Sequence, residues 1–126
     1  MSKEERITTV LQDSIDVEGL RAYNKVYVLT EKGCVSCNRS FSEFIENELD
    51  AESLCIVNAS GRIVDISYYQ DNELQNVIFD YENFLVKNNI VETSSTIFLD
   101  KGVVDTVIEL DVKQLGRQFE FFQDER

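Results

Sequence analysis

The chain has 126 residues, 24 acidic against 12 basic for a formal net charge of −12, with no histidine, no proline and three cysteines. That length suits one domain around a single core, and the excess of carboxylates opposes binding to polyanions, so neither a nucleic-acid role nor attachment to anionic lipid is expected. Lack of histidine excludes Ser-His-Asp and Cys-His catalysis and a four-ligand Cys/His zinc site within one chain, and three cysteines are too few for a disulfide scaffold.

No window approaches the roughly 20 apolar residues of a membrane span. The start, MSKEERITTVLQ, lacks the apolar stretch of a signal peptide. Taken from Met1 as given, the chain is expected to be soluble and cytoplasmic; an export segment upstream of Met1 would place it instead in a bacterial periplasm or cell envelope.

In chain order, residues 2–20 carry Ile7, Val10, Leu11, Ile15 and Leu20 at roughly helical spacing, which predicts a short helix on the domain's edge, with a partly ordered tail as the alternative. Lys25–Thr30 (KVYVLT) is β-branched and aromatic on both faces, as a strand buried in a parallel sheet should be. Glu31-Lys32-Gly33 then turns the chain, with Gly33 supplying backbone freedom before Cys34. Beyond Cys34-Val35-Ser36-Cys37, residues Phe41, Phe44, Ile45 and Leu49 recur at helical spacing. The order strand, tight loop, helix places two thiols at a helix N-terminus. Unpaired N–H groups and the positive end of the macrodipole favour a thiolate there, and thiols one turn apart suit dithiol–disulfide exchange, one attacking and the other releasing the mixed disulfide.

Residues 53–59 (SLCIVNA) predict a second strand, a parallel neighbour of the first. The stretch 62–74 (RIVDISYYQDNEL) fits a helix through Ile63, Ile66 and Tyr69, or a hairpin turning at Ser60-Gly61. The helix is favoured because 76–79 (NVIF) reads as another buried strand that needs a crossover to join the sheet in parallel. Asp80 is placed to cap a helix reaching about residue 89, with Tyr81, Phe84 and Leu85 inward. A strand at 96–99, a turn at Asp100-Lys101-Gly102 and an antiparallel partner at 103–110 follow. Asp111 and Gln114 resemble a capping box opening a last helix that packs through Leu115, Phe119 and Phe122. The alternation predicts an α/β sandwich around a mixed sheet.

Over residues 25–122 the chain resembles the thioredoxin superfamily: strand, C-x-x-C, helix, strand, helix, then a hairpin whose first strand faces the thiols. Residues 89–102 (NIVETSSTIFLDKG) are similar to the Y-G-V-x-x-x-P-T-x-F-L-x-D-x-x-G stretch of extracytoplasmic thioredoxin-like and redoxin proteins. Together with 76–89 (NVIFDYENFLVKNN), they resemble small proteins that bacteria export and tether to the envelope. The resemblance implies one thioredoxin-like domain over 1–126, a three-layer sandwich with a central mixed sheet flanked by helices, in which 1–20 is an N-terminal extension. It also implies a thiol–disulfide oxidoreductase acting on a protein disulfide or dithiol partner, with no cofactor beyond the Cys34–Cys37 pair. Cys34 is then the exposed nucleophile and Cys37 the resolving thiol, while Gly33, Ser95 and Thr96 border the substrate groove.

Three positions depart from the family pattern. Ser95 stands where the family has a cis-proline; a non-proline cis bond costs about 3 kcal/mol, so a trans Ser94–Ser95 bond is expected. Gly33 replaces the tryptophan before the first cysteine, and Val28 replaces the buried acid six residues before it. Glu31 is the one nearby carboxylate that could take over proton transfer through water, and is otherwise a solvated loop residue. The missing proline also permits a second reading: a non-catalytic thioredoxin-like binding module, or a thiolate site for Cu(I) or an iron–sulfur cluster bridged between two chains.

Cys55 reads as a small hydrophobe in a strand, with intermolecular disulfide formation as its alternative role. The Asn38-Arg39-Ser40 and Asn58-Ala59-Ser60 sequons read as chance matches. The acidic run Glu43, Glu46, Glu48, Asp50 and Glu52 reads as a solvated face, or as a surface favouring a basic partner.

Overall fold

The computed structural model describes residues 2–14, 19–71, 74 and 76–124. Its centre is β1 (Lys25–Thr30), buried at every position. A parallel neighbour, β2 (Ser53–Asn58), pairs with it from Lys25↔Ser53 to Thr30↔Asn58, and β4 (Ser95–Asp100) pairs antiparallel on its other side. The edges are β3 (Val77–Phe79), parallel to β2, and β5 (Val103–Glu109), antiparallel to β4. The result is an α/β chain with a mixed five-stranded sheet in the order β3-β2-β1-β4-β5.

The alternation of β1 divides the core. Val26 and Val28 join one apolar cluster with Ile7 and Leu11 of the N-terminal region and Leu85. Tyr27 and Leu29 point the other way, toward Phe41, Phe44 and Ile45 of α2 (Val35–Glu48) and Phe122 of α4 (Leu115–Asp124). Helices on both faces make the architecture compatible with a three-layer α/β sandwich. On the second face the aromatic rings interlock, with Phe44 stacked on Phe119 at 4.7 Å between ring centres.

The N-terminal region is helical but broken. Helix α1 (Lys3–Thr9) starts at Ser2, whose hydroxyl accepts from Glu5 N, and runs into a π-helical turn, Val10–Ser14; Leu20–Ala22 is a separate 3-10 turn. Ile7, Val10, Leu11 and Leu20 are buried, so this segment contributes to the core rather than trailing from it, and Ile15 lies outside the described residues. The β4–β5 hairpin closes through Lys101 and Gly102, both at positive φ, as a two-residue type I′ connection requires.

Two expected helices are corrected. Residues 62–71 form no α-helix; the segment is irregular except for a 3-10 turn at Ser67–Gln70, and Asn72 and Glu73 lie outside the described residues. The reason is competition for N–H groups. The Glu31 carboxylate holds those of Ile63 and Val64, and farther along Ser67 N–H goes to the Asp65 carboxylate while those of Tyr69 and Asp71 reach only to Ile66 O and Tyr68 O, so no i→i−4 ladder forms. The predicted 80–89 helix shrinks to α3 (Phe84–Lys87), bounded by Asn83 and Asn89 at positive φ. Asp80 still caps it, accepting from the N–H groups of Phe84 and Leu85. Tyr81 is 87% exposed, stacked on Phe79, so it points outward and not into the core. At α4 the capping box is rearranged: Gln114 donates to the Asp111 carboxylate, and Gln118 takes the Asp111 N–H.

Candidate functional site

The strand that ends at Thr30 delivers the chain to Glu31-Lys32-Gly33, and Gly33 turns it at φ +83°. A side chain there would be strained by that φ and would also meet Thr93 Oγ1 at 2.9 Å. Cys34 is the N-cap of α2, its Sγ accepting from Cys37 N at 3.2 Å, and Ser36 Oγ lies 3.4 Å from the same sulfur. Cys34 and Cys37 are joined as a disulfide with Cα atoms 5.2 Å apart. Because the bonded sulfur carries no hydrogen, the Ser36 hydroxyl is the donor. Cys34 is half-buried and Cys37 is 2% exposed, so attack from outside reaches Cys34.

Two loops are fastened to this one by polar contacts. Ser94, fully buried, accepts from Thr30 N at 3.0 Å and donates to Thr30 O at 3.3 Å. The Lys32 carbonyl is held from two sides, by Asn38 Nδ2 at 2.8 Å and by Thr93 Oγ1 at 3.3 Å. The segment before β4 is therefore fastened to the disulfide loop through Thr93 and Ser94. On the other side Glu31 pins 60–64. Its carboxylate accepts from Ser60 N, Ser60 Oγ, Ile63 N and Val64 N at 2.7–3.0 Å, and Arg39 Nε donates to Ile63 O at 3.0 Å.

Glu31 is therefore neither a solvated loop residue nor a proton acceptor for Cys37. A carboxylate offers about four lone-pair positions, and all are occupied. Partial burial works against its ionisation, but the N–H groups of Val64, Ser60 and Ile63 and the Ser60 hydroxyl outweigh it and hold the carboxyl at about 2. Val28 packs in the cluster on the opposite face of the sheet from α2.

Gly33 lies at the surface beside the disulfide. Ser95 and Thr96 are fully buried, with Ser95 Oγ turned back onto Thr93 O at 2.8 Å, so Glu92 and Thr93 are the exposed and half-exposed part of that loop. All peptide bonds in the described chain, Ser94–Ser95 included, are trans. Two buried oxygens, Asn38 Oδ1 and Thr96 Oγ1, have no hydrogen-bond partner among the described residues. Sequence reasoning missed Asn38, Thr93 and Ser94. A polar residue directly after the second cysteine and a Thr-Ser-Ser run before a strand were the available signals.

Cys55 is buried between Tyr27 and Val77 in the sheet, unpaired, and burial pushes its thiol well above the ordinary range. Neither sequon offers a free acceptor: Asn38 is buried, and Asn58 Nδ2 donates to Asn83 Oδ1. Among the described residues no three Cys, Asp or Glu side chains converge as metal ligands, and no helix is long and apolar enough to cross a membrane. Compared with protein-family models, curated proteins and solved structures, the chain matches none.

Proposed function

We propose that the chain is a thiol–disulfide oxidoreductase of thioredoxin-like architecture, exchanging disulfides with a protein partner through Cys34 and Cys37. The observation that supports it is the asymmetry of the bonded pair: an accessible sulfur at the N-cap of a long helix and a buried one in the first turn. In the oxidising direction a partner thiolate attacks Cys34 Sγ, the Cys34–Cys37 bond breaks, and its electron pair leaves on Cys37, which takes a proton. The partner's second thiolate then attacks its own sulfur in the mixed disulfide and releases Cys34 as a thiolate. The partner dithiol loses two electrons and two protons; the protein takes both electrons and, on Cys37, one proton, and the second proton goes to solvent while Cys34 stays a thiolate. In the reducing direction the same steps run backwards, with the Cys34 thiolate favoured by the Cys37 N–H and the end of α2.

Neither Val28, on the opposite face of the sheet, nor Glu31, whose oxygens are all occupied, takes the proton of Cys37, so resolution is slower than in a site with a carboxylate placed to do so. The test is dithiol-driven reduction of insulin by wild type, Cys34→Ser and Cys37→Ser. Wild type turns over, Cys34→Ser is inactive, and Cys37→Ser accumulates mixed disulfide. Turnover by Cys34→Ser equal to wild type removes the mechanism. The couple should lie between about −120 and −270 mV, the range of dithiol carriers.

A further inference from the structure

Two donors meet the disulfide, and both face the same sulfur. Cys37 N–H reaches Cys34 Sγ at 3.2 Å and the Ser36 hydroxyl lies 3.4 Å from it, while among the described residues no donor meets Cys37 Sγ. The N–H belongs to the helix backbone; the hydroxyl is supplied by a side chain between the cysteines. Ser36 is exposed in the first turn of α2, and its hydroxyl has no other partner among the described residues. Cys34, not Ser36, caps the helix, so the hydroxyl is not needed to start it.

Resting on the thiol-exchange reading, we propose that Ser36 is a catalytic residue of the exchange: its O–H donates to the Cys34 sulfur as that sulfur becomes a thiolate, and so biases the pair toward oxidising its partner. A disulfide sulfur is a weak, neutral acceptor, whereas a thiolate is charged, and hydrogen bonds to a charged acceptor are about twice as strong as neutral ones. The hydroxyl therefore stabilises the reduced form more than the oxidised one. When a partner dithiol is oxidised, its two electrons enter the Cys34–Cys37 bond, one of its protons stays on Cys37 and the other goes to solvent, leaving the negative charge on the sulfur that Ser36 faces. The contact is exposed and long, which limits its effect to about three- to tenfold in the thiolate equilibrium, below that of a buried hydrogen bond to a charge.

The test is a pH titration of the reduced protein, followed by the ultraviolet absorbance of the thiolate and by the rate at which iodoacetamide alkylates Cys34. Ser36→Ala should raise the Cys34 midpoint by about 0.5–1 pH unit, the same three- to tenfold, and Ser36→Thr, which keeps the hydroxyl, should bring it back. In a glutathione buffer the disulfide of the alanine variant should be harder to reduce by the same factor, a tenfold change in equilibrium constant being about 30 mV. That difference should vanish at pH values where Cys34 is protonated in both proteins. A midpoint unchanged in Ser36→Ala, a Ser36→Thr protein that titrates like the alanine variant, or a glutathione difference that persists in acid overturns the proposal. So does a lower urea midpoint for oxidised Ser36→Ala, which would make the hydroxyl a support of the fold. The titration needs no partner protein, so its outcome stands apart from the insulin assay, which alone decides the exchange mechanism.

Discussion

Replacing Glu31 by Gln keeps the shape of the side chain and removes its charge. Its two oxygens each accept from a pair of donors, Ser60 N with Ser60 Oγ and Ile63 N with Val64 N. Whichever way a glutamine amide is turned, its NH2 faces one of those pairs and cannot accept. Lowering this carboxyl from 4.5 to about 2 corresponds to at most about 3 kcal/mol. The group is only partly buried, so screening reduces the expected loss to about 2 kcal/mol at neutral pH. The sign follows from the depressed value in the folded state. The stabilisation is complete above pH 4.5 and fades as the pH falls through about 2, below which folded and unfolded forms are both protonated. Urea unfolding of wild type and Glu31→Gln, followed by far-ultraviolet circular dichroism between pH 7 and pH 2, measures this directly. A difference below about 0.5 kcal/mol at pH 7, or one that stays constant down to pH 2, refutes the tether.

Gly33→Ala should cost about 2 kcal/mol in urea unfolding, from a left-handed φ and a Cβ 2.9 Å from Thr93 Oγ1. Adding Thr93→Ala should relieve the contact but not the backbone strain, so the pair should fall short of additivity. Cys55 should resist iodoacetamide in the folded, oxidised protein at pH 8 and react at once in denaturant; rapid native labelling would contradict its burial. Phe122→Ala, removing a fully buried ring between α2 and α4, should cost about 3–5 kcal/mol.

What the sequence makes legible follows from how far apart the deciding residues are. β1, α2 and β2 are read correctly because unbroken apolar runs and a 3.6-residue spacing need no knowledge of partners. The β4–β5 hairpin is read from a two-residue turn with glycine. The 62–71 segment is misread because its apolar residues fall at helical spacing while Glu31, about 30 residues away, anchors its start and Asp65 and a 3-10 turn take the N–H groups of Ser67 and Tyr69, pairings that apolar spacing does not encode. The helix after Asp80 is shortened for the opposite reason, a purely local one: two asparagines that tolerate positive φ stop it at both ends. At the site, the C-x-x-C motif gives the sulfurs and their order of burial. It says nothing of Ser94, Thr93 or Asn38, whose contacts exist only once β4 has paired with β1.

Those same contacts determine how a cysteine variant should be interpreted. The neighbouring loops are attached to Thr30, Glu31 and Lys32 and to side chains on α2 and before β4, and among the described residues none of these hydrogen bonds involves Cys34 or Cys37. Opening the disulfide therefore frees two sulfurs without releasing the loops around them. The frame that presents Cys34 should be the same in the oxidised, reduced and serine-substituted chains, apart from the short turn between the two positions. Amide shifts that change on reduction should accordingly be confined to residues near 33–38, with those of Ser60, Val64 and Ser94 unmoved. If reduction shifts that second group as strongly as the first, the loops depend on the disulfide, and lost activity in Cys34→Ser would report a collapsed site rather than a missing nucleophile.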